Sequence, residues 1–245
     1  MFIKNYKRIR KLLPPPFSAD HQLYSMLFSQ HDEPFMPTSS LIDTSIQALS
    51  HAREISLKEI SNRFKEPPYY PDIWPGEHYK LLAGFVSALK PKLVVEIGTA
   101  QGVSALCMKK YLLPASKIIT FDIFSYKDDE NTILKDEDFQ DGRLTQYVAD
   151  ISDDDMFNQY KELISIADLI FIDVTHDGKL EEEIFKKFKI DGFVNTPYII
   201  LDDIRVWSML KMWRGITLPK LDLTSFGHWS GTGVVEWQEP KLGNE

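Results

Sequence analysis

Five short apolar runs alternate with amphipathic stretches between positions 93 and 213, and this alternation narrows the fold more than any other feature of the chain. The runs are LVVEI at 93–97, KIITFD at 117–122, LTQYVA at 144–149, ADLIFID at 167–173 and YIILDD at 198–203. Each has strand length, and helical patterns separate them. Helices are predicted over 103–113, from Ser152 through Ile164, over 179–189 and over 204–213. Ser152 and the three aspartates after it suit a helix start, because anionic side chains favour the N-terminal dipole. The acidic stretch 127–143 reads as a solvated loop with a short helix. Alternating strands and helices give a parallel sheet covered on both faces. The tail differs: 221–226 and 233–237 read as strands joined through 227–232, a closing antiparallel hairpin at one edge. The expected fold is a doubly wound α/β sheet, mostly parallel.

Ahead of this pattern, Leu41, Ile42, Ile46, Leu49, Ile55, Ile60 and Phe64 follow helical spacing, between prolines at 14–16 and a proline-rich stretch at 67–75. Residues 1–72 are therefore expected to form a helical extension or cap, and 73–245 the main domain. The extension can cover an active site, make a dimer contact or pack on the main domain. The basic tip (Lys4, Lys7, Arg8, Arg10, Lys11) has no apolar stretch long enough for a signal peptide and reads as a solvated terminus. No window reaches transmembrane length, so no stable membrane insertion is expected.

The first run ends in a glycine turn, Glu96-Ile97-Gly98-Thr99-Ala100-Gln101-Gly102, and a helix follows it. Such a turn brings bare amides and a helix start close to a small ligand. A pyrophosphate cradle usually reads G-x-G-x-x-G and avoids a carboxylate beside it. Here the pattern is E-x-G-x-x-x-G, which suits a ligand carrying positive charge. The other runs also end on acids: Asp122, Asp150, Asp173 and the pair Asp202-Asp203. In an open parallel sheet, ligands sit outside the carboxyl ends of the strands. That edge is expected to be strongly negative and to take a cationic ligand, ribose hydroxyls or a divalent metal.

Composition excludes other classes. A net charge of -8 argues against a nucleic-acid binder, which must neutralise phosphates. The single cysteine, Cys107, rules out an internal disulfide framework and fits a reducing, cytoplasmic compartment. Its neighbours Ala105, Leu106 and Met108 mark it as helix core rather than nucleophile.

Over roughly residues 74–237 the chain resembles the class I S-adenosylmethionine-dependent methyltransferases, which have a Rossmann-like sheet. The resemblance implies that Glu96 lies near the sulfonium, that Gly98, Thr99, Gly102 and Ser104 form the turn under the methionine moiety, that Asp122 holds the ribose hydroxyls and that Asp150 lies beside the adenine. Asp173-Val174-Thr175-His176 followed by Asp202-Asp203 is similar to metal-dependent O-methyltransferases, especially those acting on macrolide sugar hydroxyls. The implied roles are Asp173, Asp202 and Asp203 as Mg²⁺ ligands, with Asp173 also facing the cofactor, and His176 as base. The usual acidic pair of that group is Glu-Asp, so Asp202 is the departure from its pattern. Carboxylate oxygens, water and a substrate oxygen suit Mg²⁺. A hydroxyl on the metal is more acidic, and a histidine can take its proton near neutral pH.

His228 and Trp229, in the expected hairpin turn, suit an aromatic wall over a sugar or ring, or a buried packing role. Glu77, His78 and Tyr79 stand where they can line the methionine end of the cofactor site. The expected activity is Mg²⁺-dependent methyl transfer to a hydroxyl of a small glycoside, polyketide or similar metabolite, with a homodimer compatible with the N-terminal helices. A metal-independent methyltransferase, an NAD-binding oxidoreductase with Asp122 on the ribose, and a non-catalytic module are the competing readings.

Overall fold

The structure, a computed structural model, describes residues 36–66, 70–206 and 208–238. The basic tip and the first proline cluster lie outside these residues.

Strand β1 (Leu93–Ile97) is buried at every position, as a strand covered on both faces must be. It pairs in parallel with β2 (Lys117–Asp122) on one side and β4 (Leu169–Ile172) on the other. Beyond β2 lies β3 (Leu144–Val148), and beyond β4 lies β5 (Tyr198–Asp202), both parallel. The last two strands run antiparallel. β7 (Thr232–Glu236) pairs with β5, and β6 (Lys220–Asp222) pairs with β7. The order is β3-β2-β1-β4-β5-β7-β6. The expected doubly wound, mostly parallel sheet with a C-terminal antiparallel hairpin is thus present, β7 lying inside and β6 at the edge.

The register sets the site. Ile97 pairs with Phe121 and Ile172, and Ile172 pairs with Leu201. The residues that follow, Gly98, Asp122, Asp173 and Asp202, therefore reach one edge of the sheet together.

Four helices follow strands: α4 (Val103–Tyr111), α5 (Asp154–Ser165), α6 (Lys179–Asp191) and α7 (Met209–Gly215). Before β1 come α1 (Ser39–Glu54), α2 (Lys58–Ser61) and α3 (Tyr79–Leu89). α1 packs on α3 at Gly84, where an added Cβ would stand 2.3 Å from the Ala48 carbonyl oxygen, so only glycine allows this approach. The Thr38 hydroxyl accepts the Leu41 amide at the start of α1 and also bonds Glu236 on β7. Tyr198 on β5 joins this network through Ser40, 2.9 Å away, and Glu236, 3.2 Å away. No helix among the described residues is long and apolar enough to cross a membrane.

Two expected elements change. The helix expected at 204–213 begins at Met209. Asp203 takes a left-handed φ of 56°, and the Arg205 amide donates to the Ser230 carbonyl, so the chain turns toward the C-terminal loop before a helix can start. The strand expected at 221–226 stops at Asp222. The Asp222 carboxylate accepts the Thr224 amide at 2.9 Å, which favours a 3-10 turn over Thr224–Phe226. On α6, Lys186 pairs with Glu182 as its spacing suggests, whereas Lys187 pairs with Asp154 on α5.

Candidate active site

The glycine turn is held from below. Both the Thr99 and Ala100 amides donate to one Asp122 oxygen at 2.9 Å, and the Phe124 amide donates to the other at 3.1 Å. Gly98 has φ of 103°, and an added Cβ would lie 1.8 Å from the Asp173 carbonyl oxygen. The turn therefore presses directly on the end of β4. Gly102 opens α4 beneath Leu134.

A cavity of about 250 Å³ lies beside this turn, lined by Gly98, Asp122, Phe124, Asp150, Asp173 and Leu180 among others. Acids from the ends of β2, β3 and β4 thus share one pocket with apolar walls. Asp150 uses one oxygen to hold the Ser152 amide and hydroxyl, at 2.9 and 2.6 Å. Thr99, Gly102, Ser104 and Glu96, expected around the same ligand, do not line the cavity. The Thr99 hydroxyl is turned inward onto Thr120, 2.6 Å away, and Ser104 is buried in the first turn of α4. Glu96 is fully buried with neither carboxylate oxygen hydrogen-bonded. Burial pushes its pKa up to about 7, against the pull of the nearby Ser104 and Thr120 hydroxyls.

Next to the cavity, the His176 ring lies between two carboxylates. Its Nε2 is 3.3 Å from Asp173 and its Nδ1 is 3.0 Å from Asp203. His176 itself has a left-handed φ of 57°. Glu181, buried in the first turn of α6, accepts the His176 amide at 2.8 Å and the Gly178 amide at 2.9 Å. Sequence reading missed Glu181. The signal was present, since an acid three residues after a helix-opening residue commonly reaches back to free amides.

Asp202 turns the other way. Its two oxygens lie 3.2 Å from His78 Nδ1 and 3.2 Å from His228 Nδ1. His228 also meets Asp203 at 3.1 Å and the Ser230 hydroxyl at 2.8 Å. Glu77 stands 3.8 Å from the far nitrogen of His228. The two histidines come from distant segments tied by backbone. The Gly76 amide donates to the Gly227 carbonyl at 3.2 Å, and the Trp229 amide donates to the Gly76 carbonyl at 3.1 Å. Trp229 itself is 75% exposed, so its ring is not enclosed. The Tyr79 ring packs on His78 at a tilt of 49°, with centroids 4.3 Å apart.

These contacts divide the charges. Burial, reinforced by Asp202, pushes the Asp173 pKa up to about 7, although its side chain faces a cleft. Burial opposes charge on Asp202 as well, but His78 and His228 hold it well below the usual carboxylate range. Burial likewise disfavours a charged His228, yet Asp202 and Asp203 outweigh it and push its pKa up to about 10.

The expected Mg²⁺ set of Asp173, Asp202 and Asp203 is not gathered by this arrangement. Among the described residues, the group of ligand atoms lying within 4.8 Å of one another is His78, Asp202 and His228. The His176 ring stands between Asp173 and Asp203, and Asp202 faces imidazoles.

Residues 95–204 match the family model of a methyltransferase domain. The chain shares its fold with the SAH-bound methyltransferase PaMTH1 of Podospora anserina, at TM-score 0.52 and 17% identity over 85% of this chain and 90% of that one. It is also similar to an O-methyltransferase from Bacillus cereus in complex with SAH, at TM-score 0.49 and 15% identity, covering 82% and 92% of the two chains. In sequence, no curated protein matches the chain. The matched stretch spans the strand ends that gather Gly98, Asp122 and Asp173 at one edge of a Rossmann-like methyltransferase fold.

Proposed function

We propose that the protein transfers a methyl group from S-adenosylmethionine to a hydroxyl of a small molecule, a glycoside, polyketide or similar metabolite. The observation that carries this reading is that Asp173, which lines the cavity beside the glycine turn, also contacts His176, whose other nitrogen meets Asp203. The cavity residues fit the methyl donor. Asp122 has acceptor capacity left for ribose hydroxyls, Phe124 and Leu180 offer apolar surface to an adenine, and the acids favour a sulfonium. When bound, the donor supplies an electrophilic methyl group.

His176 is the base. Asp173 and Asp203 hold the imidazole from both sides, which fixes the ring that is to take a proton from the acceptor hydroxyl. Glu181 fixes the backbone from which the ring projects. The rest of the acceleration comes from holding the hydroxyl in line with the methyl carbon. Mg²⁺ has no step in this reading, because its expected ligands are split between two imidazole contacts. The charge of -8 supports a small acceptor over a nucleic acid, and buried Cys107 supports action in a reducing, cytoplasmic compartment.

Calorimetry and a methyl-transfer assay on a panel of hydroxylated metabolites test the reading. His176→Ala is expected to keep S-adenosylhomocysteine affinity within about twofold while turnover falls roughly 10²–10⁴-fold, as for loss of a general base. Absence of cofactor binding in the wild type, or full turnover in the variant, overturns it.

A further inference from the structure

We propose that His78, Asp202 and His228 form a binding site for a divalent transition-metal ion, of the Zn²⁺, Fe²⁺ or Co²⁺ kind, in place of the Mg²⁺ expected from three carboxylates.

His78 and Asp202 are each only 3% exposed. Both nitrogens of His78 and one oxygen of Asp202 are buried without a hydrogen-bond partner. His78 Nδ1 and Asp202 Oδ1 stand 3.2 Å apart, yet their orientation does not make a hydrogen bond. Buried polar atoms are normally satisfied, so several left unpaired at one point call for a partner. A cation shared by one His78 nitrogen and the Asp202 oxygen satisfies both of those atoms at once.

The three donor atoms lie within 4.8 Å of one another, and an ion about 2.0–2.2 Å from each needs them about 4 Å apart or less. Closing that span takes only small side-chain movements. Two imidazoles and one carboxylate suit zinc, iron or cobalt, whereas magnesium prefers an all-oxygen shell.

The backbone ties between Gly76 and the 227–229 loop place the two histidines with ring centroids 5.3 Å apart on either side of Asp202. Glu77 faces the far nitrogen of His228, as a carboxylate behind a ligating imidazole commonly does. Ion binding by these three residues does not rest on the methyl-transfer reading. Its use there does: when bound, the ion supplies a Lewis acid next to the pocket that holds His176.

Equilibrium dialysis of the full chain against Zn²⁺ and Co²⁺, with excess Mg²⁺ present, tests the site. One ion per chain is expected, with visible ligand-field absorption for Co²⁺. His228→Ala and His78→Gln are each expected to weaken binding by more than the roughly 10–100-fold that a merely supporting residue costs. Asp173→Ala is expected to change it less than about threefold, below that same range. Near-ultraviolet circular dichroism verifies folding, and His228→Ala, at the more open residue, decides the matter where His78→Gln does not fold. The proposal is overturned if folded wild type binds neither ion stoichiometrically. It is equally overturned if Asp173→Ala abolishes binding while the histidine variants retain it. Calorimetry with S-adenosylhomocysteine on the same samples reports separately on the methyl-transfer reading.

Discussion

The carboxylate of Glu181 accepts a hydrogen bond from the amide of His176, five residues earlier and 2.8 Å away. A second bond, from Gly178, anchors the same carboxylate at the foot of α6. The loop between β4 and α6 is therefore clamped from inside, and His176 is held in a left-handed conformation that a free loop would relax.

Substitution of Glu181 is expected to lower turnover with little change in cofactor affinity. Glu181→Ala leaves two amides without acceptors, a cost of about 1–3 kcal/mol, enough to let the loop relax. A tenfold or larger fall in kcat is expected, with KM for the methyl donor within about twofold on the same reasoning. Glu181→Gln retains an acceptor and should recover part of the loss. Equal kcat in wild type and Glu181→Ala, measured by steady-state kinetics, would show that the clamp does not position the base.

Glu96 should make stability depend on pH. Its folded pKa is raised by burial to about 7, against an ordinary value of 4.5. Between those values the folded chain keeps a proton that the unfolded chain has lost, so stability falls as pH rises through that window. At about 1.4 kcal/mol per unit, the loss is on the order of 3 kcal/mol by neutral pH. Glu96→Gln removes the titration. Its thermal midpoint should exceed that of the wild type at pH 8, and the difference should shrink toward pH 4.5. Parallel curves for the two proteins, by scanning calorimetry, would refute the assignment.

Gly98→Ala tests the contact between the glycine turn and β4. The new methyl carbon meets the Asp173 carbonyl oxygen at 1.8 Å, on a backbone with φ of 103°. Both terms are unfavourable, and a cost of about 3 kcal/mol or more is expected. For a chain of this size that lowers Tm by roughly 10 °C. The same shift moves Asp173 against His176, so turnover should fall in parallel with cofactor affinity. An unchanged Tm would mean that the turn and the strand end are not pressed together.

Much of the scaffold was legible in the residues because the signals were local. A fully buried strand such as Leu93–Ile97 shows as a continuous apolar run, and the acids that follow the runs do reach one edge of the sheet. The Asp122 assignment illustrates the limit. Its position at the strand end was readable, but not that three backbone amides draw on its carboxylate. The start of α7 was misplaced because Asp203 adopts a left-handed backbone and Arg205 bonds Ser230, a partner far along the chain. The same kind of long-range contact brings His78 and His228 onto Asp202. His78 follows a loop of prolines and glycine whose partner, 227–229, is visible only once the chain has folded.

That loop-to-loop tie has a further consequence. The glycine turn, Asp122 and Asp150 all precede β4, whereas the surroundings of Asp202 draw on both ends of the described chain. His228 comes from the segment leading into β7, which pairs with β5, and His78 from the segment that Gly76 ties to the 227–229 loop. A chain cut before the 227–229 loop therefore keeps the glycine turn and its Asp122 bonds but leaves Asp202 with a single imidazole.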